Sequence, residues 1–270
     1  MRYLYAFILT AMSLPVFATI VEHHGFVQDD WNNGYPEQRY HFVLDKIIEI
    51  YTPIIEAKGG TFHILRDWGD GSVNAWAWRI ADEYHLEVPG GMSRFHLINE
   101  EAFILVVCHE IGHLLGGAPA RNSTISLEGQ ADYFASTHCM KRILPQLEAY
   151  KPVEASDDII RLCEKSQDSS ICIRTLAGAQ ALSNYFSWIV KEPFPEISRE
   201  SGVVVSRTIT SHPPAQCRLD TYKRGAFCKA REEYVSFEDA NLGYCHQPQN
   251  KRPQCWYAIP KFEEYHEVTF

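Results

Sequence analysis

Residues 100–115, EEAFILVVCHEIGHLL, narrow the range of possible folds more than any other stretch of this chain. Phe103, Ile104, Val106, Val107, Ile111 and Leu114 spread apolar side chains around every side of a helix, so a helix here has no polar face to offer water and belongs in the interior. The same stretch carries His109, Glu110 and His113. Buried polar groups need partners, so other segments must bring them to this helix.

The pattern HEIGH (109–113) places His109 and His113 at i and i+4, one above the other on one helix face. Both imidazoles can then reach a single Zn²⁺ at about 2.0–2.1 Å, with Glu110 beside that face and within reach of a water on the metal. A second helix is predicted over 126–143, and its EGQAD segment sets Glu128 and Asp132 on a common face, again at i and i+4. Glu128 completes a His₂Glu set with one position open, as in catalytic zinc sites, and Asp132 can hydrogen-bond the far nitrogen of a liganding histidine. The alternative, a solvated acidic face, is opposed by Leu127, Ala131, Tyr133, Phe134 and Ala135 on the same helix. Only 14 residues separate His113 from Glu128, and Gly116, Gly117 and Pro119 supply a turn that folds one helix back on the other.

Around this pair, Tyr40, Val43, Leu44, Ile47, Ile48, Tyr51 and Ile55 recur at helical spacing and predict an amphipathic helix over 36–57, kinked before Pro53. Three β-type segments follow at 61–66, 73–78 and 84–88, separated by GDGS and PGG turns. A third apolar helix is predicted over 171–190. With 46% hydrophobic and 22% charged residues among 270, the chain can bury a core. Its 25 Lys+Arg against 34 Asp+Glu give a net charge of −9, which excludes a basic footprint for nucleic acid.

Residues 1–18 combine Arg2, an apolar run from Leu4 to Leu14, and the small-residue ending Val16-Phe17-Ala18, which predicts a secretory signal peptide cut after Ala18. The run is too short and too broken to serve comfortably as a membrane anchor. No cysteine precedes Cys108, so acylation at the cleavage site is excluded. The protein is therefore expected in the bacterial periplasm or secreted, without an integral membrane segment after cleavage. Eight cysteines suit such an oxidising compartment. Cys108 and Cys139 lie on the two motif helices, either as a bridge or as two buried thiols. The separations of 9, 11 and 10 residues along the remaining six suggest the local pairs 163–172, 217–228 and 245–255, among 15 connectivities. No CxxC pair supports a zinc knuckle.

HEIGH, EGQAD and SHPPAQCRL (211–219), in that order, resemble the gluzincin metallopeptidases, and within them the CaaX prenyl protease/HtpX-like family. Asn74-Ala75-Trp76-Ala77 is similar to that family's NAxA stretch, and Asn99-Glu100-Glu101 to its acidic lead-in, so the likeness covers roughly residues 60–220. It implies a zincin-like α+β fold: a small mixed sheet with an edge strand packed on the HExxH helix, a second metal-ligand helix, and here a disulfide-braced helical C-terminal part. It also implies one Zn²⁺ and a polypeptide substrate. His212 would sit at the open face of the zinc, as an oxyanion donor or a displaceable fourth ligand, Arg218 would brace the segment or pair with a carboxylate, and Asn74 would bind substrate or brace the sheet. The short spacing between HEIGH and EGQAD departs from the membrane-embedded members and is nearer to compact, thermolysin-like gluzincins. The expected organisation is a signal peptide over 1–18, a metallopeptidase domain over 19–220 and a Cys-rich extension over 221–270, with disulfide bracing beginning near 160.

In the resulting reading Glu110 is the general base and His212 a second catalytic residue, with His109, His113 and Glu128 as metal ligands. Residues 83–88 (EYHLEV) are expected to form the edge strand on which an extended peptide adds, with Trp68, Trp76 and Trp78 lining the cleft or filling the core. His63, His85 and His96 are expected to lack partners at ligand spacing, and His138 is expected to pack on its own helix. Two further classes of function share the same residues: a metal-containing binding or chaperone module, and a zinc hydrolase of a non-peptide amide such as cell-wall material. The general base favours an enzyme.

Overall fold

The computed structural model describes residues 18–19 and 31–259, so the signal peptide expected over 1–18 lies outside the described residues except for Ala18. The fold is mixed α+β. The chain runs β1 (Ala18–Thr19), α1 (Glu37–Glu56), β2 (Thr61–Asp67), β3 (Trp76–Ile80), β4 (Glu83–Pro89), the short α2 (Gly90–Arg94) and α3 (Glu100–Leu115). A small ribbon, β5 (Ala120–Arg121) and β6 (Ile125–Ser126), leads to α4 (Glu128–Phe134), which passes through a π-turn at Ala135–Cys139 into α5 (Met140–Ile143). Three helices follow: α6 (Asp157–Cys163), α7 (Ser169–Val190) and α8 (Ala215–Phe227).

Every residue of α3 is buried, as its all-round apolar pattern requires. Its first turn shows how a buried helix start is satisfied. The Asn99 side chain accepts from the Ala102 backbone N–H at 2.8 Å, Glu100 takes Arg39 and Tyr35, and Glu101 accepts from Arg174 of α7 at 3.0 Å. The acidic lead-in of the sequence thus anchors α1 and α7 to the N-terminus of α3, where its dipole also favours negative charge.

Helix α1 buries Tyr40, Val43, Leu44, Ile47, Tyr51 and Ile55 on one stripe and runs as one helix through Pro53. The four-stranded sheet has the order β1-β3-β4-β2, with β2 parallel to β4 and the other pairings antiparallel. Tyr84, Leu86 and Val88 of β4 point into the core, leaving Glu83, His85 and Glu87 on the opposite face. This order corrects the expectation for 83–88: β4 is an interior strand bonded on both sides, and β1 and β2 form the edges. The edge position was what the zincin resemblance implied; alternation itself reveals which face of a strand is buried and carries no information about its neighbours.

Four disulfides are present: Cys108–Cys139, Cys163–Cys172, Cys217–Cys255 and Cys228–Cys245. The first ties α3 to the π-turn, and the second has the local spacing expected. The pairs 217–228 and 245–255 are corrected, because 228–245 is nested inside 217–255. The physical reason is α8: Cys217 lies in its first turn and Cys228 caps its far end, about 16 Å apart at 1.5 Å per residue, beyond disulfide reach. That helix also runs through residue 220, where the metallopeptidase domain was expected to end. The segment after it packs onto the motif helices, with Trp256 against Gly129 and Tyr244 donating to the Gly116 carbonyl at 2.5 Å. Among the described residues no helix is long and apolar enough to cross a membrane.

Candidate metal centre

Helices α3 and α4 approach so closely that a Cβ at Gly112 would lie 2.7 Å from the Ala131 carbonyl oxygen, so the glycine inside HEIGH is what permits the contact. This juxtaposition brings Glu128 to the two motif histidines. Glu128 Oε2 lies 3.3 Å from His109 Nε2 and 3.3 Å from His113 Nε2. His212, delivered by the segment before α8, places its Nε2 3.2 Å from the same oxygen and keeps 20% of its side chain exposed. His109, His113 and Glu128 are essentially inaccessible, so His212 stands on the solvent side of the cluster.

The outer partners fix the tautomers. His113 Nδ1 lies 2.8 Å from the Ser126 carbonyl oxygen, which can only accept, so Nδ1 carries a proton and Nε2 is turned into the cluster. His109 Nδ1 lies 2.6 Å from Asp132 Oδ1. Burial works against the Asp132 charge, but Arg218 and His109 more than offset it and bring the carboxyl down to about 2, so Asp132 is the acceptor and His109 is oriented the same way. Arg218 holds Asp132 through Nε to Oδ2 at 2.8 Å and Nη2 to Oδ1 at 2.7 Å, while its guanidinium lies 3.8 Å from the centre of the Phe186 ring. The Tyr222 hydroxyl, one turn further along α8, also donates to Asp132.

The inner atoms form a different environment. His109 Nε2, His113 Nε2, Glu128 Oε2 and both carboxylate oxygens of Glu110 are buried without a hydrogen-bond partner. The histidines and Glu128 face one another without hydrogen-bond alignment. At about 1–3 kcal/mol for each unsatisfied buried group, five such atoms would cost about as much as the whole margin of stability of a folded domain. A bound cation would resolve the conflict. A tetrahedral ion with bonds of about 2.0–2.1 Å holds its ligand atoms about 3.3–3.4 Å apart, and the two histidine–glutamate separations match that edge length. Two nitrogens, one carboxylate and no thiolate suit zinc.

Glu110 follows His109 on α3 and is fully buried. Burial lifts its carboxyl to about 7, with His113 and His109 working in the opposite direction. Asn74 is buried between β2 and β3, its Oδ1 accepting from the Ala75 N–H at 2.9 Å. The tryptophans separate: Trp68 packs beside Tyr40 and Arg94, whereas Trp76 and Trp78 belong to β3. His138 reaches beyond its own helix, its Nε2–H donating to the Gly243 carbonyl at 2.9 Å.

Two residues near the centre escaped the sequence reading. Tyr222 follows Arg218 by one helical turn, a spacing legible only once α8 is recognised. Arg121 lies at the rim, with Nη2 3.9 Å from Glu128 Oε1 and donating to the Thr210 carbonyl at 2.9 Å, which ties the β5–β6 ribbon to the segment carrying His212.

Comparison with known proteins finds no matching family model, no matching curated protein and no matching solved structure.

Proposed function

We propose that this protein is a zinc-dependent endopeptidase of gluzincin type that acts outside the cytoplasm on extended or unfolded polypeptide. The observation that carries the proposal is the convergence of His109 Nε2, His113 Nε2 and Glu128 Oε2 at tetrahedral edge lengths beside a buried, unpartnered Glu110. When bound, zinc supplies a Lewis acid that polarises a carbonyl and acidifies a coordinated water.

The chain's own residues do the rest. Glu110 accepts a proton at its carboxylate and returns it to the leaving amine, a role suited to a carboxyl whose affinity for protons is raised by burial. Asp132, clamped by Arg218, holds His109 in one tautomer and one orientation, and the Ser126 carbonyl does the same for His113. His212 stands on the open side, where it can donate to the oxygen that becomes negative as the carbonyl is attacked. The burial of the cluster excludes bulk water, which strengthens each of these interactions.

An extended substrate is supported by the sheet. β3 takes an extended segment in antiparallel register, Ala18–Thr19 pairing with its Ala77 and Trp76, so a peptide that displaced this two-residue strand would add to β3 rather than to β4. Export is supported by the four disulfides, which persist in oxidising compartments.

The test is Glu110→Gln measured on two axes. The variant should keep its zinc, read by elemental analysis, and lose cleavage of an unfolded protein substrate followed by mass spectrometry of released peptides. An equally active Glu110→Gln protein refutes the mechanism. Chelator-insensitive release of peptides refutes the metal's role. A well-folded protein with no affinity for zinc overturns the reading altogether.

A further inference from the structure

The outer face of the sheet carries a second cluster of metal-binding side chains. His63 of β2 and His85 of β4 are register partners, and Trp78 of β3 is the partner of His85 on the other side. The three rings form a row across three strands: His63 and His85 centroids lie 4.8 Å apart at an interplanar angle of 15°, and His85 and Trp78 lie 4.9 Å apart at 1°. Glu83, two residues before His85, lies on the same face and brings its Oε2 to 3.4 Å from His85 Nε2. One donor atom each from His63, Glu83 and His85 falls within 4.8 Å of the other two. No spacing along the chain reveals this set, because the partner of His85 comes from a neighbouring strand.

We infer that His63, Glu83 and His85 form a second, exchangeable site for a divalent transition-metal ion, separate from the buried centre. Three features point to a ligand rather than to incidental proximity. The His85 Nε2 atom is buried and has no hydrogen-bond partner, although Glu83 Oε2 lies 3.4 Å away, so a potential ligand atom faces the cluster unsatisfied. Trp78 stacks flat on His85 and holds its ring plane, which lowers the entropy lost on coordination. His63 and Glu83 are exposed and can close from 4.8 Å to coordination distance around the fixed His85. Two imidazoles and one carboxylate favour Zn²⁺ and, by the usual affinity order, bind Cu²⁺ more tightly. With its remaining positions open to water, this site should exchange its ion more readily than the enclosed His109–His113–Glu128 centre.

The experiment compares the full-length protein with His63→Ala and Glu83→Gln after equilibration with micromolar Zn²⁺, counting zinc per chain. The wild type should hold one more ion than either variant. A difference in count stands whatever the occupancy of the buried centre, so failure here and failure of the peptidase reading are distinguishable. Both substitutions fall on exposed side chains, and circular dichroism verifies that each variant is folded. A Cu²⁺ titration followed by tryptophan fluorescence gives an independent readout: quenching through Trp78 should require at least about tenfold more Cu²⁺ in His63→Ala, since loss of a direct ligand costs no less than loss of an outer-shell partner. Trp78→Phe should abolish that quenching and keep the additional ion. Equal zinc counts in wild type and both variants, with an unchanged Cu²⁺ midpoint, overturn the proposal.

Discussion

Replacing Arg218 by Leu should be among the most damaging single substitutions in this protein. Arg218 and Asp132 are 2% and 0% exposed, and two hydrogen bonds of 2.8 and 2.7 Å join them. Leucine fills much of the space beside Phe186 but removes the guanidinium bonded to Asp132, leaving a buried carboxylate that keeps Tyr222 and His109 as partners among the described residues. Breaking one side of a buried ion pair costs about 3–5 kcal/mol, most of it the cost of the charge left behind. The loss should appear as a urea midpoint lowered by about 1–2 M in metal-free protein, taking a slope of about 3 kcal/mol/M. A second effect passes through His109, whose tautomer depends on an ionised Asp132. Zinc affinity, measured by competition with a chromogenic chelator, should fall about 10–100-fold. Arg218→Lys should recover little of either, because an ammonium cannot reproduce the two-pronged contact. A folded Arg218→Leu protein whose urea midpoint and zinc affinity both match the wild type would refute the claim that this pair supports the centre.

Other outcomes are open to measurement. Gly112→Ala should force α3 and α4 apart, because its methyl group would meet backbone atoms of Ala131 at 2.7 and 2.8 Å; zinc binding should weaken by more than the melting temperature suggests, and retention of full affinity would contradict the packing argument. Burial lowers the His138 imidazole to about 3, so the unfolded chain takes up a proton there below about pH 6.5 that the folded chain refuses. Its contribution to stability is therefore complete above that pH and is lost as the pH falls toward 3. His138→Gln should flatten the acid limb of a urea-midpoint profile, and an unaltered limb would exclude His138 as its source. Among the disulfides, Cys228–Cys245 has a partly exposed member whereas Cys108–Cys139 is fully buried, so graded reduction with mass mapping should open the former first and the latter last.

The parts legible in the sequence are those written in local periodicity. Helix α3 occupies 100–115 as its apolar pattern requires, α1 falls one residue short of the expected range at each end, and α7 begins two residues early under an Asp168 cap. The i, i+4 pairs of HEIGH and EGQAD bring the expected side chains together because their geometry is internal to a helix. What depends on contacts between distant segments was not legible. Strand order, the nested disulfides and the meeting of His63 with His85 are properties of neighbours. Helix α8 was missed for a local reason: Arg218, Asp220, Lys223 and Arg224 dilute its apolar stripe, although Pro214 immediately before it is a start signal. The π-turn at 135–139, which places Cys139 under Cys108, leaves no mark in composition.

The position of Trp256 bears on how the protein is made. Its ring lies against Gly129, next to Glu128, and Cys255 beside it is bonded to Cys217, the residue before Arg218. During synthesis HEIGH and EGQAD emerge more than a hundred residues before this closing segment. Until residue 256 is available, neither the wall behind Glu128 nor the crosslink behind Arg218 can form. The surroundings of the proposed centre are thus completed last, and a nascent or truncated chain carries both motifs before this wall and this crosslink are in place.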